Sequence, residues 1–139
     1  MTADCQDYLV KRLINKIYDF REEIYSYETD EVDDAEVVVV AYGITARVAL
    51  PAIKKARKEG IKVGFMRLIV VWPFPVEFIE SLASKVKAFV MPELNLGQVV
   101  LELERVAKGK AEVYGVPNAG GNVHNPEEIY QAIKNAVRK

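Results

Sequence analysis

Four consecutive valines at positions 37–40 restrict the fold of this chain more than any other feature of its sequence. A continuous run of β-branched residues, without alternating polar ones, is typical of a strand buried on both faces of a parallel sheet. We therefore predict a strand over residues 35–42 that ends at Gly43. Helices must then cover both faces of the sheet that contains this strand.

The rest of the chain alternates between strand-like segments and segments with helical spacing of apolar residues. Further strands are predicted over residues 61–69, 86–91 and 111–116, and helices from Thr45 towards Gly60, from Pro75, from the turn at 92–95 to Gly109, and from Asn125. Strands that alternate with helices require right-handed crossovers, so the sheet is mostly parallel and lies between two helical layers. The predicted fold is a three-layer α/β/α sandwich.

Two of the helix starts depend on particular residues. Asn125 as the N-cap, Pro126 at the first position and Glu128 at the third form a capping-box pattern. Thr45 is the predicted N-cap of the helix after the first strand. Pro51 is discordant there, because a proline in a helix interior costs about 3 kcal/mol. That helix either kinks at Pro51 or begins late.

The residues before the first strand divide into an amphipathic helix and an acidic stretch. Apolar residues recur every three or four positions over residues 7–24, which predicts a helix whose apolar stripe must be covered. Residues 25–34 are acidic and lose this periodicity, so we expect an exposed connector, with at most a short strand over residues 24–27. The chain thus consists of an N-terminal linker helix and acidic connector, residues 1–34, and one α/β domain, residues 35–139.

Composition excludes several classes of protein. With 19 basic and 20 acidic side chains the chain has almost no net charge, so neither nucleic-acid binding nor a charged tail is indicated. The single cysteine, Cys5, excludes a disulfide framework and a cysteine-based zinc cluster. No apolar run reaches the roughly 20 residues that span a bilayer, and the N-terminus lacks signal-peptide features. We predict a cytoplasmic protein without membrane contact, whose partners bind through shape and apolar contact.

Functional groups of an open α/β sheet are expected beyond the carboxyl ends of its strands. The first such loop has one glycine, Gly43, and lacks the motifs of a dinucleotide-binding or phosphate-binding loop. Thr45 and Arg47 fit either an anion at a helix N-terminus, or a cap and a surface or interface cation. Trp72 and Phe74 on a proline-rich turn either cap the core or present an aromatic anchor to a partner.

Few titratable side chains accompany these loops. Glu93 and Asn95 stand at a strand end, and a lone carboxylate without a paired acid, histidine or metal ligand is weak evidence for acid–base catalysis. A turn and helix start is the favoured interpretation. His124 is the only histidine, and a loop histidine ahead of a helix cap is favoured over a ligand. The residues by themselves therefore predict no catalytic, metal-binding or cofactor-binding residue.

Three segments together carry a resemblance to a known family: VVVVAYGITAR over residues 37–47, EGIKVGFMRLIVVWPFP over 59–75, and PELNLGQ over 92–98. They are similar to the C-terminal domain of the α subunit of 2-oxoacid:ferredoxin oxidoreductases, above all the 2-oxoglutarate member. Residues 7–13 resemble the linker helix that enters this domain, and residues 120–129 resemble a segment near its end. The resemblance implies a transketolase C-terminal-like fold, with a five-stranded mixed sheet whose antiparallel strand comes from around residues 24–27.

The resemblance also implies a parent enzyme that converts a 2-oxoacid oxidatively into acyl-CoA and carbon dioxide. Such enzymes use thiamine diphosphate, iron–sulfur clusters, coenzyme A and ferredoxin. Thiamine diphosphate is held in them by a pyrimidine-binding domain that precedes this one, together with a β subunit, and neither is found in this sequence. Cys5 alone cannot ligate a cluster that needs four cysteines. We therefore expect a C-terminal piece that binds none of these cofactors, is inactive alone and assembles with the missing domain and the β subunit.

The residues expected at such an interface lie at one end of the predicted sheet: Tyr42, Thr45, Arg47, Trp72, Phe74, Glu93, Asn95 and Gln98. The resemblance is also compatible with a homodimer. A hypothesis from another class is an autonomous small-anion-binding or regulatory α/β domain that uses the loops at residues 43–47 and 120–125.

Overall fold

Five strands form one mixed sheet in the computed structural model, which describes residues 2–138. The strands are β1 (Tyr27–Asp30), β2 (Val37–Tyr42), β3 (Val63–Leu68), β4 (Ala88–Glu93) and β5 (Glu112–Pro117). Their order across the sheet is β1-β3-β2-β4-β5, with β2 to β5 parallel and β1 antiparallel to β3. The predicted mostly parallel, five-stranded mixed sheet is confirmed.

Helices cover both faces of this sheet. They are α1 (Ala3–Asp19), α2 (Arg21–Ile24), α3 (Gly43–Lys58), α4 (Val76–Ala83), α5 (Val99–Ala107) and α6 (Pro126–Val137). Helices α3 and α6 pack on one face, and α4 and α5 pack on the other. The three-layer α/β/α sandwich is confirmed, as is the capping box at the start of α6, built from Asn125 and Glu128.

Strand β2 runs through the centre of the molecule. Val38 and Val40 face the core under α4 and α5, whereas Val37 and Val39 face the core under α3 and α6. None of the four valines has solvent-exposed surface. This placement explains their run in the sequence, because a strand covered on both faces needs apolar side chains at every position.

The antiparallel edge strand lies a few residues later than predicted. β1 falls inside the stretch expected to be an exposed connector, and it pairs with β3 from Leu68 to Phe65. The stretch is mostly exposed as predicted, but its strand was placed three residues too early, because an edge strand has one free side, which accepts charged residues such as Glu28 and Asp30. The sheet therefore begins within residues 1–34, and a boundary at residue 35 separates it from its edge strand.

The segment between β1 and β2 is held against the sheet. The Arg57 guanidinium donates to the Glu31 carbonyl oxygen at 2.7 Å and to both carboxylate oxygens of Asp34. Val32 packs on the core under α4 and α5. Gly64 in β3 leaves room for this segment, because a Cβ there would lie 2.9 Å from the Glu31 carbonyl oxygen and 3.0 Å from the Val32 Cα. The acidic stretch is thus a packed part of the domain.

The N-terminal helical region is divided in two. α1 ends at Asp19 and α2 begins at Arg21, where a single helix over residues 7–24 was predicted. No residue of α1 is buried, so residues 2–138 do not cover its apolar stripe. The ring of Tyr18 meets the ring of Trp72 edge-on, with 6.3 Å between the centroids, where α1 approaches the domain.

Helix α3 begins earlier than predicted and continues through Pro51. Thr45 is not its N-cap, since the Thr45 hydroxyl donates to the Tyr42 carbonyl oxygen at 2.7 Å from inside the first turn. The alternative that the helix begins late, to avoid Pro51 in its interior, is also wrong, because α3 begins at Gly43. Pro51 removes the N–H that would bond to the Arg47 carbonyl oxygen. Both residues lie on the exposed side of the helix, where water can satisfy that oxygen.

Strand β4 begins and ends two residues later than predicted, and its last residue is Glu93. Pro92 lies within the strand, beyond residues 88–90, over which β4 pairs with β2. A proline is accommodated at this position because it need not supply an N–H to that ladder. Glu93 is consequently the last residue of a strand and not part of the following turn.

Candidate functional site

A crevice opens at the carboxyl edge of the sheet, between β2 and β4. The chain leaves β2 for β3 on one side and returns to β4 on the other, which makes this gap the topological switch point of the sheet. The ladder between the two strands covers residues 37–39 and 88–90, so their last residues are not paired with each other. Open α/β sheets bind ligands at such a point.

The Glu93 carboxylate lies at the base of this crevice and accepts five hydrogen bonds. Its donors are the Tyr42 hydroxyl at 2.9 Å, the Asn95 side-chain amide at 3.2 Å, and the backbone N–H groups of Gln98, Val99 and Val100 at 3.2, 3.0 and 2.9 Å. Glu93 is only 1% exposed. It therefore joins the end of β2, the end of β4 and the first turn of α5.

The local sequence explains why these groups meet. Asn95 follows Glu93 by two positions, and its side-chain oxygen accepts a hydrogen bond from the Gly97 N–H at 2.7 Å. Gly97 has a φ of 103°, a conformation that favours glycine. The resulting turn brings the N–H groups at the start of α5 to Glu93, where the helix dipole also favours a negative charge.

The environment of Glu93 keeps its carboxylate ionised. Burial by itself would raise the pKa of Glu93. The hydrogen bonds from the Val100 and Val99 backbones, with those from Asn95 and Tyr42, outweigh burial and hold the pKa below its ordinary value. Burial raises the pKa of Tyr42, and its hydrogen bond to the Glu93 carboxylate and the charge of that group raise it further. Tyr42 thus remains a neutral donor to a charged acceptor.

This arrangement does not suit acid–base catalysis. A general base works best with a pKa near the operating pH and with access to the proton of a substrate. Glu93 has a lowered pKa, and its oxygens accept hydrogen bonds from groups of its own chain. Its chemistry is that of a helix cap supplied from a neighbouring strand.

Residues 2–138 contain neither a cluster of metal-binding side chains nor a candidate membrane-spanning helix. No three side chains of His, Cys, Asp or Glu in this range are grouped so that they could hold a metal ion. No helix in the same range is long and apolar enough to cross a membrane.

Most of the predicted site residues meet at the crevice. The structure brings together Tyr42, Thr45, Glu93, Asn95 and Gln98. All of these except Glu93 line a cleft of about 330 Å³ above the carboxylate, together with Gly43, Ile44 and Leu94. The expectation that loops after parallel strands share one edge therefore identified their proximity correctly. Thr45 and Glu93 are buried, and they shape this edge from within.

Trp72 and Phe74 have different environments although one residue separates them. Phe74 is 5% exposed and packs in the core under α4 and α5. Trp72 is 54% exposed and lines a cleft of about 610 Å³ with Tyr18 and Arg105. Of the two interpretations made from the sequence, the core cap applies to Phe74, and the exposed aromatic applies to Trp72.

Arg47 lies apart from the crevice. It lines a different cleft, which it shares with Glu28, Asp30 and Arg67 near the β1 edge of the sheet. The two carboxylates in that lining offset the two guanidinium groups, and Arg67 pairs with Glu28 at 3.2 Å, so the cleft has no net positive charge to attract an anion. None of residues 120–125, the other loop of the anion-binding hypothesis, lines this cleft.

His124 is buried in the loop after β5, at 4% exposure. Its Nε2 lies 2.7 Å from the Val116 carbonyl oxygen, which places the proton on Nε2 because a carbonyl only accepts. Nδ1 is buried and has no hydrogen-bond partner among residues 2–138. The histidine thus fastens the loop to β5, just ahead of the cap of α6.

Sequence reasoning missed the backbone donors that complete the Glu93 network. Val99 and Val100 contribute only their N–H groups, which leave no side-chain signature. The turn that presents them has a signal, since Asn95 followed two residues later by Gly97 is a turn pattern. A carboxylate directly before that pattern could have been predicted to cap the next helix.

Comparison with known proteins identifies the family to which this domain belongs. Residues 35–129 match the family model of the pyruvate:ferredoxin oxidoreductase core domain II. The chain belongs to this family. The matched part of core domain II contains β2 to β5 and the start of α6, whereas β1 lies before it.

Curated relatives of this core domain II are subunits of larger enzymes. The 2-oxoglutarate synthase subunit KorA of Methanocaldococcus jannaschii is 41% identical over 133 residues, which cover 96% of this chain and 36% of the relative. The ketoisovalerate oxidoreductase subunit VorB of Methanothermobacter thermautotrophicus is 42% identical over 108 residues, covering 78% and 30%. The chain thus spans about a third of the length of the curated relatives it matches.

Solved structures show the same fold. A 2-oxoglutarate:ferredoxin oxidoreductase from Magnetococcus marinus, with 2-oxoglutarate, coenzyme A and succinyl-CoA bound, matches with a TM-score of 0.77 at 22% identity, over 98% of this chain and 24% of that one. A split-gene transketolase, described as an inactive β4 tetramer, matches with a TM-score of 0.66 at 20% identity, over 80% of this chain and 41% of that one. The expectation of a transketolase-like fold is confirmed.

Proposed function

We propose that this chain is core domain II of a 2-oxoglutarate:ferredoxin oxidoreductase and that it serves the assembly of that enzyme. The observation that carries the proposal is its 41% identity to a KorA subunit over 133 residues. The KorA relative aligns with 96% of the chain and the VorB relative with 78%, which favours 2-oxoglutarate over a branched 2-oxoacid as substrate.

The proposed reaction is an oxidative decarboxylation. 2-Oxoglutarate and coenzyme A yield succinyl-CoA and carbon dioxide, while two electrons pass to ferredoxin and a proton is released. A cytoplasmic location is part of this proposal. The residues of the present chain take no direct part in the reaction, because the one buried carboxylate at the crevice, Glu93, is committed to the hydrogen bonds of its own chain.

The cofactors of such an enzyme have to be held by its other parts. An iron–sulfur cluster needs several thiolate ligands, and the sequence contains one cysteine, Cys5. A diphosphate group commonly binds the free N–H groups of a helix N-terminus. At the crevice those of α5 already donate to Glu93. The N–H groups of α5 are therefore not free for a diphosphate, and we assign thiamine diphosphate to a pyrimidine-binding domain and a β subunit.

The predicted interface residues differ in exposure, and Tyr42 and Asn95 are half-buried. Buried members such as Thr45, Phe74 and Glu93 support the carboxyl edge from below. The members that remain exposed are Arg47, Trp72 and Gln98. We propose that contacts with the rest of the enzyme involve the exposed members, of which Trp72 offers the largest apolar surface.

Purification through a tag on this chain tests the proposed function. In cells that produce the whole enzyme, the tagged chain should recover a complex that contains thiamine diphosphate. That complex should reduce ferredoxin only when both 2-oxoglutarate and coenzyme A are supplied, with lower kcat/KM for pyruvate and 2-oxoisovalerate. The chain purified alone should reduce no acceptor. Turnover by the chain alone, or a recovered complex without thiamine diphosphate, would contradict the proposal.

A further inference from the structure

Four segments that follow the parallel strands contain no Asp, Glu, Lys or Arg. They are residues 43–46 after β2, 69–76 after β3, 94–101 after β4 and 118–126 after β5. Because β2 to β5 are parallel, all four segments emerge at the carboxyl edge of the sheet. Charged residues make up 28% of the chain, so four successive segments without any of them depart sharply from the rest of the sequence. The charged side chains beside Trp72, which are Arg21, Glu77, Glu102 and Arg105, come from the helices around it.

The opposite edge of the sheet carries the charge. The segment before β2 contains Glu31, Asp33, Asp34 and Glu36, and the segments before β3, β4 and β5 each contain at least two charged residues. Some of these groups pair with one another, as Lys87 does with Glu36 at 2.7 Å. The absence of charge is therefore specific to one edge and is not a general property of the loops.

The uncharged edge exposes large apolar side chains. Leu96 is 85% exposed, Trp72 is 54% exposed and Leu94 is 41% exposed. Other exposed apolar residues in these segments are Ile44, Ile69, Leu101 and Val123. Single exposed apolar residues are common on soluble proteins, but a group of them at one edge marks a binding surface.

The buried position of Glu93 keeps the last residue of β4 from adding charge to this surface. Its carboxylate is directed inward, to donors from Tyr42, Asn95 and the start of α5. Depletion of charge, together with an exposed tryptophan, is typical of the core of a stable protein interface.

From this asymmetry between the two edges we infer that the carboxyl edge is a permanent interface with an uncharged, apolar protein surface. We assign that surface to another domain of the same oxidoreductase, so the inference rests on the proposed function. A charged partner such as a nucleic acid or an acidic carrier protein would gain no ion pair from the four segments themselves. The chain matches only about a third of the length of these relatives, so the other two thirds of such a subunit are available to cover the edge.

A charge introduced at Leu96 tests this inference in the assembled enzyme. Leu96→Glu, carried by a tagged chain in cells that produce the whole enzyme, would bury an unpaired carboxylate at the interface. The 2-oxoglutarate-dependent activity and the partner protein recovered per tagged chain should each fall at least about tenfold. Leu96→Gln should give a smaller loss, because it removes apolar contact without adding charge.

Ser81→Glu is the control. Ser81 is exposed on α4 and lies outside the four uncharged segments, so a carboxylate introduced there should leave recovery and activity unchanged. Circular dichroism of the variants should match that of the unmodified chain, because both side chains already contact solvent.

The outcomes separate this inference from the proposed function. A Leu96→Glu enzyme that assembles and turns over like the unmodified one overturns the interface and leaves the proposed function intact. If the unmodified chain forms a homodimer and Leu96→Glu dissociates that dimer, a second copy of the chain covers the edge. This outcome overturns the assignment of the edge to another domain. An unmodified chain that recovers no oxidoreductase overturns both.

Discussion

Glu93 caps a helix that begins six residues after it in the sequence. The N-cap of α5, Gln98, makes no side-chain capping hydrogen bond, and the Glu93 carboxylate supplies the acceptors in its place. Glu93→Gln keeps the size of the side chain but removes its charge and one acceptor oxygen. We expect it to lower the free energy of unfolding by about 1–3 kcal/mol, measured by urea denaturation at pH 7.

Glu104→Gln is the control for that substitution. Glu104 is exposed on α5, so its change to glutamine should alter the free energy of unfolding by no more than about 0.5 kcal/mol. Equal losses at the two positions would show that the hydrogen bonds of Glu93 make no special contribution to stability.

The stabilisation by Glu93 should depend on pH in a defined direction. Its pKa in the folded chain lies below the ordinary value of 4.5, so the unfolded chain binds its proton first as the pH falls. The contribution is complete above the ordinary pKa and is lost as the pH falls through the lowered one. The difference in unfolding free energy between the unmodified chain and Glu93→Gln should therefore narrow below about pH 4.5. A difference that widens there would contradict the lowered pKa.

The meeting of Tyr42, Glu93 and Asn95 could be predicted from sequence, because the carboxyl ends of parallel strands share one edge. The burial of Glu93 as an ionised side chain could not be predicted from the sequence. It depends on the N–H groups of Val99 and Val100, which every residue except proline carries, and on the turn that orients them.

At the scale of elements, the contact between β3 and the segment after β1 depends on a glycine. A Cβ at Gly64 would come within 3.0 Å of backbone atoms of Glu31 and Val32, and backbone cannot yield as a flexible side chain can. We expect Gly64→Ala to lower the free energy of unfolding by about 1–3 kcal/mol, measured by urea denaturation.

Gly115→Ala in β5 is the matched control. A Cβ there would meet a Val100 methyl group at 3.4 Å, which is an ordinary contact, so stability should change by less than about 1 kcal/mol. A Gly64→Ala chain as stable as the Gly115→Ala chain would show that the acidic segment is loosely held.

The same segment shows where element prediction fails. Strand β1 has no apolar alternation, because its pairing with β3 is made by backbone groups and three of its four residues are exposed. The buried strands, by contrast, were found from their apolar runs with shifts of a few residues at their ends. Apolar runs thus identify the central strands and also the half-exposed edge strand β5, whereas β1 has no such run and needs its partner to be known first.

Helices α3 and α6 are joined by Tyr130. Its hydroxyl donates to the Glu59 carboxylate, and the Lys55 ammonium lies 3.9 Å from the centre of its ring. The hydrogen bond to Glu59, with burial and the charge of that carboxylate, raises the pKa of Tyr130 to about 12. We expect Glu59→Gln to lower this pKa toward the ordinary value of 10.0, measured by ultraviolet titration of tyrosinate. Tyr130→Phe identifies the signal by removing it, and a titration that Glu59→Gln leaves unchanged would contradict the assignment.

At the scale of the whole molecule, the three-layer sandwich was predictable from the sequence. Segments with strand-like and with helical spacing of apolar residues alternate along the chain, and few topologies are compatible with that order. The family was predictable from three segments, and the match over residues 35–129 shows it. The exposure of apolar residues was not predictable in the same way. Leu96 and Leu103 belong to one apolar segment of the sequence, yet one is almost fully exposed and the other is fully buried. Whether an apolar side chain at the carboxyl edge is exposed depends on what that edge faces. The spacing of apolar residues along the sequence does not indicate this.

The two leucines give a whole-molecule prediction. Leu103→Ala should lower the free energy of unfolding by about 2–5 kcal/mol, because it opens a cavity in the core under α4 and α5. Leu96→Ala should change it by no more than about 0.5 kcal/mol, since the side chain gains little from folding at 85% exposure. Urea denaturation of both variants at one pH measures the contrast. A loss at Leu96 as large as that at Leu103 would mean that the edge is packed by its own chain, and an edge packed in that way has no need of a partner.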